Sequence, residues 1–132
     1  YSLSLHDALP IYGKNSRIDL LLDDPERGRA YVEVKNTTLA EGELARFPDA
    51  VTSRGLKHLN ELADVVAEGH RGVMLYCVSR ADVSAFSPAD DIDPAYSKRL
   101  REVAEAGVEL LAYSTLVTPT SFELGERLEI RL

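Results

Sequence analysis

The sequence predicts one α/β domain in which a mixed β-sheet is flanked by helices. Three observations point there. Two runs, Ser16 to Leu22 and Ala30 to Leu39, are apolar or alternating and flank a polar turn, as the arms of a β-hairpin do. An amphipathic stretch from about Asp49 to Glu68 follows. Then comes a nearly continuous apolar run, Gly72 to Ser79, of the kind expected of a central strand covered on both faces. Strand periods alternating with helical ones are the mark of a layered α/β domain.

In order along the chain, the first arm is Ser-Arg-Ile-Asp-Leu-Leu-Leu, and Asp23 to Arg29 supplies the turn. The second arm is rich in β-branched residues, which favour strands. A polar loop with Gly42 and Pro48 is expected next. The first helix carries Leu56, Leu59, Ala63 and Val66 on one face, with Arg54, His58 and Glu61 opposite and Gly69 as its stop. Residues 80–94 show no regular period and read as a loop. Asp93 is then a natural N-cap and Pro94 a natural first helical residue for a second helix running to Ala106. Apolar Val108 to Tyr113 predicts another strand, and Leu128 to Leu132 a short final one.

Composition bounds the function. At 132 residues the chain can bury one hydrophobic core, and no apolar run approaches the ~20 residues that span a bilayer, so a cytoplasmic protein without a membrane partner is expected. The single Cys77 lies in an apolar run and reads as a buried, inert thiol, and no zinc motif is present. A net charge of -7 opposes a broad nucleic-acid footprint, because duplex affinity rests on Lys and Arg neutralising phosphates. A polyanion partner would need a metal ion, a local basic patch or another part of the protein. Residues 1–11 lack the basic start and apolar stretch of a secretory signal, and they read as a non-native, adapter-like head.

One constellation carries chemistry. Residues two apart on a strand share a face, so Glu33 and Lys35 project together while Val32 and Val34 point away. An unbulged hairpin centred near Glu26 would set Asp19 opposite Glu33, and two carboxylates side by side repel unless something compensates. Mg²⁺, or Mn²⁺ in its place, would do so through hard oxygen ligands, with Asp19 and Glu33 holding it and the Val34 carbonyl adding a ligand. Such an ion activates water and stabilises charge on a phosphate, and Lys35 would orient the water or neutralise that charge. Spacing alone leaves a second reading open, in which Glu33 and Lys35 belong to a solvated strand face. The same holds for Arg54, His58 and Glu61 on their helix. His70 reads as a helix-terminal residue without chemistry, and Asp90, Asp91 and Asp93 as capping and solvated groups, because they lack a calcium-loop spacing.

Several blocks in order resemble the sugar fermentation stimulation protein (SfsA) family: Ser16 to Leu22, Tyr31-Val32-Glu33-Val34-Lys35, Phe47-Pro48-Asp49-Ala50-Val51-Thr52, Arg54 to Leu59, and Phe86-Ser87-Pro88-Ala89. The resemblance runs from about Tyr12 to the C-terminus. It implies a restriction-endonuclease-like fold of the PD-(D/E)XK type over residues 12–132, with Asp19, Glu33 and Lys35 as the signature. Ile18 stands in the proline position, and Ser53 stands where an acidic residue is common. The resemblance further implies DNA as partner, met by Arg17, Arg54, Lys57 and His58 and mostly by an N-terminal OB-like domain absent from this chain. Two activities follow from it: Mg²⁺-dependent hydrolysis of DNA, or a non-catalytic DNA-binding regulator of sugar metabolism on a nuclease scaffold.

Overall fold

The structure is a computed structural model and describes residues 20–26, 28–118 and 121–132. Nine strands and two helices occur among them: β1 (Leu20–Asp24), β2 (Gly28–Thr37), β3 (Leu39–Glu41), β4 (Leu44–Phe47), α1 (Ser53–Ala67), β5 (Arg71–Val78), β6 (Ala85–Pro88), α2 (Pro94–Glu105), β7 (Glu109–Thr118), β8 (Ser121–Arg127) and β9 (Glu129–Ile130). β1, β2, β5, β7 and β8 form one mixed sheet in that order, and β3, β4, β6 and β9 form a second. The predicted α/β class and mixed sheet are observed, and the apolar run does become the central strand.

The hairpin β1–β2 is antiparallel and pairs Leu20 with Val32 and Asp24 with Gly28, the register of an unbulged turn centred on Glu26. β2 then runs parallel to β5, with Glu33 beside Met74 and Lys35 beside Tyr76. Side-chain alternation sends Tyr31, Glu33, Lys35 and Thr37 to one face of the sheet, along with Met74, Tyr76 and Val78. The main core forms there, joining Leu59 and Leu62 of α1, Leu100 and Val103 of α2, Ala45 and Phe86 from the second sheet, and Leu128 between β8 and β9. The other face bears a smaller apolar cluster built on Ala30, Val32 and Val73. Both described helices lie with the main core, so among the described residues the expected flanking by helices is seen on that face.

Three local expectations are corrected. The loop expected after residue 39 is a β-hairpin, Leu39–Glu41 against Leu44–Phe47, turning at Gly42 and Glu43. Its arms are too short to show a period. Residues 80–94 contain β6, a four-residue strand clamped between β4 and β9 in parallel pairing, and its stability comes from those neighbours rather than from its own sequence. The chain after Tyr113 continues as β7 and returns as β8, an antiparallel pair that the sequence reading left out.

The helix boundaries follow capping chemistry. Thr52 caps α1, accepting from the Gly55 N–H at 2.9 Å through Oγ1, and Gly69 ends the helix region at φ +94°, a conformation that suits glycine. Asp93 caps α2 as predicted, with Pro94 in its first turn. It does more. Its Oδ1 accepts from the Tyr96 N–H at 3.1 Å, and its Oδ2 accepts from the Thr52 N–H at 2.9 Å. One buried carboxylate thus ties the N-termini of both helices together, and its own charge is satisfied by backbone donors. Asp90 pairs with Arg101 at 3.0 Å and Asp91 with Arg46, and both carboxyls are held below their usual range by those guanidinium hydrogen bonds. These three acids are engaged in capping and ion pairs.

Beneath the helix N-termini, the Tyr76 and Tyr96 hydroxyls meet at 2.6 Å, with Phe86 stacked on Tyr76 and Phe47 edge-on to Tyr96. Burial, first of all, pushes both phenols above their ordinary value. Cys77 is buried, and burial raises its thiol too, as the inert reading requires. No helix among the described residues is long and apolar enough to cross a membrane.

Two outcomes are expected. Asp93→Ala removes two backbone hydrogen bonds to a charged acceptor, and urea unfolding should show a loss of about 2–4 kcal/mol; a loss under about 0.5 kcal/mol would rule out the bridging role. Because the folded phenols titrate above the unfolded value, their contribution to stability is complete below about pH 10 and declines as pH rises beyond it. At about pH 11 the tyrosinate absorbance of the native protein should stay below that of the unfolded chain, and Tyr76→Phe should narrow the gap.

Candidate functional site

β2 delivers Glu33 and Lys35 to the face beneath α1, and α1 delivers His58 to meet them. Glu33 is 2% exposed and His58 6%, so neither belongs to a solvated face. His58 Nδ1 lies 3.0 Å from Glu33 Oε1 and 2.7 Å from Lys35 Nζ, while Lys35 Nζ is 4.0 Å from the same carboxylate oxygen. A buried carboxylate is costly unless paired, and here the ammonium and the imidazole both approach its Oε1. One nitrogen cannot serve both neighbours at once: Nδ1 either donates to Glu33 or accepts from Lys35. The proton arrangement of the trio therefore has two forms, and a positive charge placed on the far side of Glu33 favours the one in which Lys35 donates to His58.

The site sits on the aromatic floor already described. Tyr76 is the β5 neighbour of Lys35, and Glu33 is close enough to Tyr96 to help raise its phenol, after burial. Gly55 lets this happen. A Cβ there would stand 2.7 Å from Thr52 Cγ2 and 3.1 Å from Tyr96 Cε2, so only glycine lets Tyr96 pack under the first turn of α1. Tyr76, Tyr96 and Gly55 escaped the sequence reading, since an apolar run and a helical glycine carry no mark of what lies across from them.

The remaining predicted residues divide by position. Arg54 and Lys57 are exposed on α1, whereas His58, expected to meet phosphate or lie near a metal, turns inward to Glu33 and Lys35. Val34 points to the opposite face, packed against the cluster of Ala30, Val32 and Val73. Arg17 and Asp19 lie outside the described residues, as do residues 1–11. Glu61, one turn beyond His58, is also buried, so of the predicted polar face Arg54 is solvated while His58 and Glu61 are not.

Among the described residues no three His, Cys, Asp or Glu side chains already converge as a metal cage. The donor chemistry nevertheless fits a hard cation: Glu33 is a buried carboxylate, and neither carboxylate oxygen of buried Glu61 has a hydrogen-bond partner among the described residues.

His58→Ala takes away the imidazole that stands 3.0 Å from Glu33 Oε1, so it should destabilise by about 2–3 kcal/mol. In a Glu33→Gln background the same change should cost at least about 1 kcal/mol less, measured as a double-mutant cycle in urea; additive losses would show that the two do not interact.

The family model described as the sugar fermentation stimulation protein RE domain matches residues 6–121. The sugar fermentation stimulation protein homolog of Geobacter sulfurreducens is 59% identical over 119 residues, covering 90% of this chain and 50% of that protein. The homolog of Pelobacter propionicus is 59% identical over 121 residues, covering 92% and 52%. This chain therefore spans about half the length of the curated relatives it matches. The structure of Pyrococcus furiosus SfsA in complex with Ca²⁺ superposes with a TM-score of 0.87 at 30% identity, over 97% of this chain and 55% of that one. On these matches, and on the motifs around Glu33 and Lys35, the chain belongs to the sugar fermentation stimulation protein (SfsA) family.

Proposed function

We propose that this chain is a restriction-endonuclease-like domain of the PD-(D/E)XK type that hydrolyses phosphodiester bonds of DNA with Mg²⁺ or Mn²⁺, acting in the cytoplasm. The observation that carries the reading is the pairing of Glu33 and Lys35 on one buried strand face under His58. A solvated strand face has no reason to bury a carboxylate to 2% exposure. The Ca²⁺ of the P. furiosus protein supports a divalent ion in the same fold.

In this reading Asp19 and Glu33 hold the ion and the Val34 carbonyl adds a ligand. When bound, the ion supplies Lewis acidity and an acidified water. The chain's own residues do the rest. The Lys35 ammonium, steered by His58 Nδ1 at 2.7 Å, is placed to neutralise charge growing on the phosphate. Exposed Arg54 and Lys57 on α1, with Arg17, meet backbone phosphates. With a net charge of -7, these few cations give a weak grip, and the half of the relatives' length not matched by this chain would supply most of the DNA affinity.

The test compares wild type with Glu33→Ala and Lys35→Ala on plasmid, linear and single-stranded DNA in Mg²⁺ and Mn²⁺. Cleavage should fall by about 100-fold or more in both variants while DNA binding persists. Binding by the wild type without cleavage of any form would instead establish the non-catalytic regulator, and variants that behave like wild type in both assays would remove the site from either function.

A further inference from the structure

Glu33 and Lys35 lie two residues apart on one face of β2, and the Lys35 side chain is only 15% exposed. An ammonium on a flexible four-carbon stem beside a buried carboxylate ordinarily closes to a charge-assisted hydrogen bond of about 2.8 Å. This one does not. Lys35 Nζ stops 4.0 Å from Glu33 Oε1. It lies instead 2.7 Å from His58 Nδ1, which is itself 3.0 Å from the same carboxylate oxygen. The imidazole nitrogen is therefore the corner of a triangle whose longest side separates the two charges.

The rest of α1 fixes where that nitrogen stands. His58 is buried, and its neighbours Leu59 and Leu62 on the same helix are fully buried in the main core. Asp93 ties the start of the helix to α2 through the Thr52 and Tyr96 N–H groups. A helix held at its start and along its packed face sets the position from which the ring reaches down to β2. Lys35, on the strand, is the longer and more flexible partner.

We propose that His58 is a positioning residue that holds the Lys35 ammonium off the Glu33 carboxylate, so that the carboxylate keeps its charge for a divalent ion and the ammonium stays available to a phosphate. The proposal rests on the reading that Glu33 holds such an ion. In this role Nδ1 accepts a hydrogen bond from Lys35, and the ring proton is carried by Nε2. Without the imidazole, Lys35 closes on Glu33. The two charges then compensate each other, and a cation has to displace an ammonium already in place, which weakens its binding by about tenfold.

The experiment measures Mn²⁺ binding by isothermal titration calorimetry on the whole chain, for wild type, Glu33→Gln, His58→Ala, Lys35→Met, His58→Ala with Lys35→Met, and His58→Asn. His58→Ala should bind about tenfold more weakly than wild type, and a crystal structure of that variant without the ion should show Lys35 Nζ within about 3 Å of Glu33. The double variant should bind as tightly as Lys35→Met alone, because no ammonium is left to close on the carboxylate. His58→Asn, whose Oδ1 restores an acceptor near the place of Nδ1, should recover most of the lost affinity. A merely structural His58 would not be relieved by removing Lys35, so a double variant as weak as His58→Ala overturns the proposal. If Glu33→Gln weakens binding while His58→Ala binds like wild type, the proposal fails and the Glu33 site stands. If wild type binds no Mn²⁺, both fall. Should His58→Ala not fold, His58→Leu fills the volume without an acceptor and should also bind more weakly, and wild-type affinity in that variant overturns the proposal.

Discussion

Burying Glu33 is the constraint on which the site depends. A carboxylate taken out of water must be met by positive charge or hydrogen-bond donors, and Lys35 and His58 come from two different elements to meet it. That requirement sets the register of β2 against β5 and the position of α1 along the sheet. A one-residue slip of β2 would turn Glu33 and Lys35 to the face now occupied by Ala30, Val32 and Val34, and both the apolar cluster and the charged trio would be lost together.

The surroundings hold that trio still. Asp93 fastens the starts of α1 and α2 to each other, and the hydroxyl pair of Tyr76 and Tyr96 lies directly below, braced by Phe47 and Phe86 from the second sheet. Support of this kind restricts Lys35, whose long side chain would otherwise sample many rotamers. The second sheet walls in the aromatic floor through Phe47 and Phe86.

A buried acid without a partner costs stability. Glu33 and Glu61 differ in how they are accommodated. Glu33 borrows a lysine and a histidine, whereas Glu61 is held in place by the apolar packing of Leu59 and Leu62 on the same helix.

The sequence by itself determined the local periods: the shared face of Glu33 and Lys35, the hairpin centred on Glu26, the central strand, the cap at Asp93, and the ordered motifs that place the chain in its family. These are readable because each is encoded within a few residues of itself. Tertiary structure alone decided that His58 and Glu61 are buried, since a helical wheel records the polarity of a face and not what lies opposite it. It also decided the hydroxyl contact of Tyr76 with Tyr96, residues 20 apart, and the short strands β3, β4 and β6, whose stability comes from their neighbours. Partners contributed by distant segments leave no local period, and it is these partners that turn a charged strand into a candidate site.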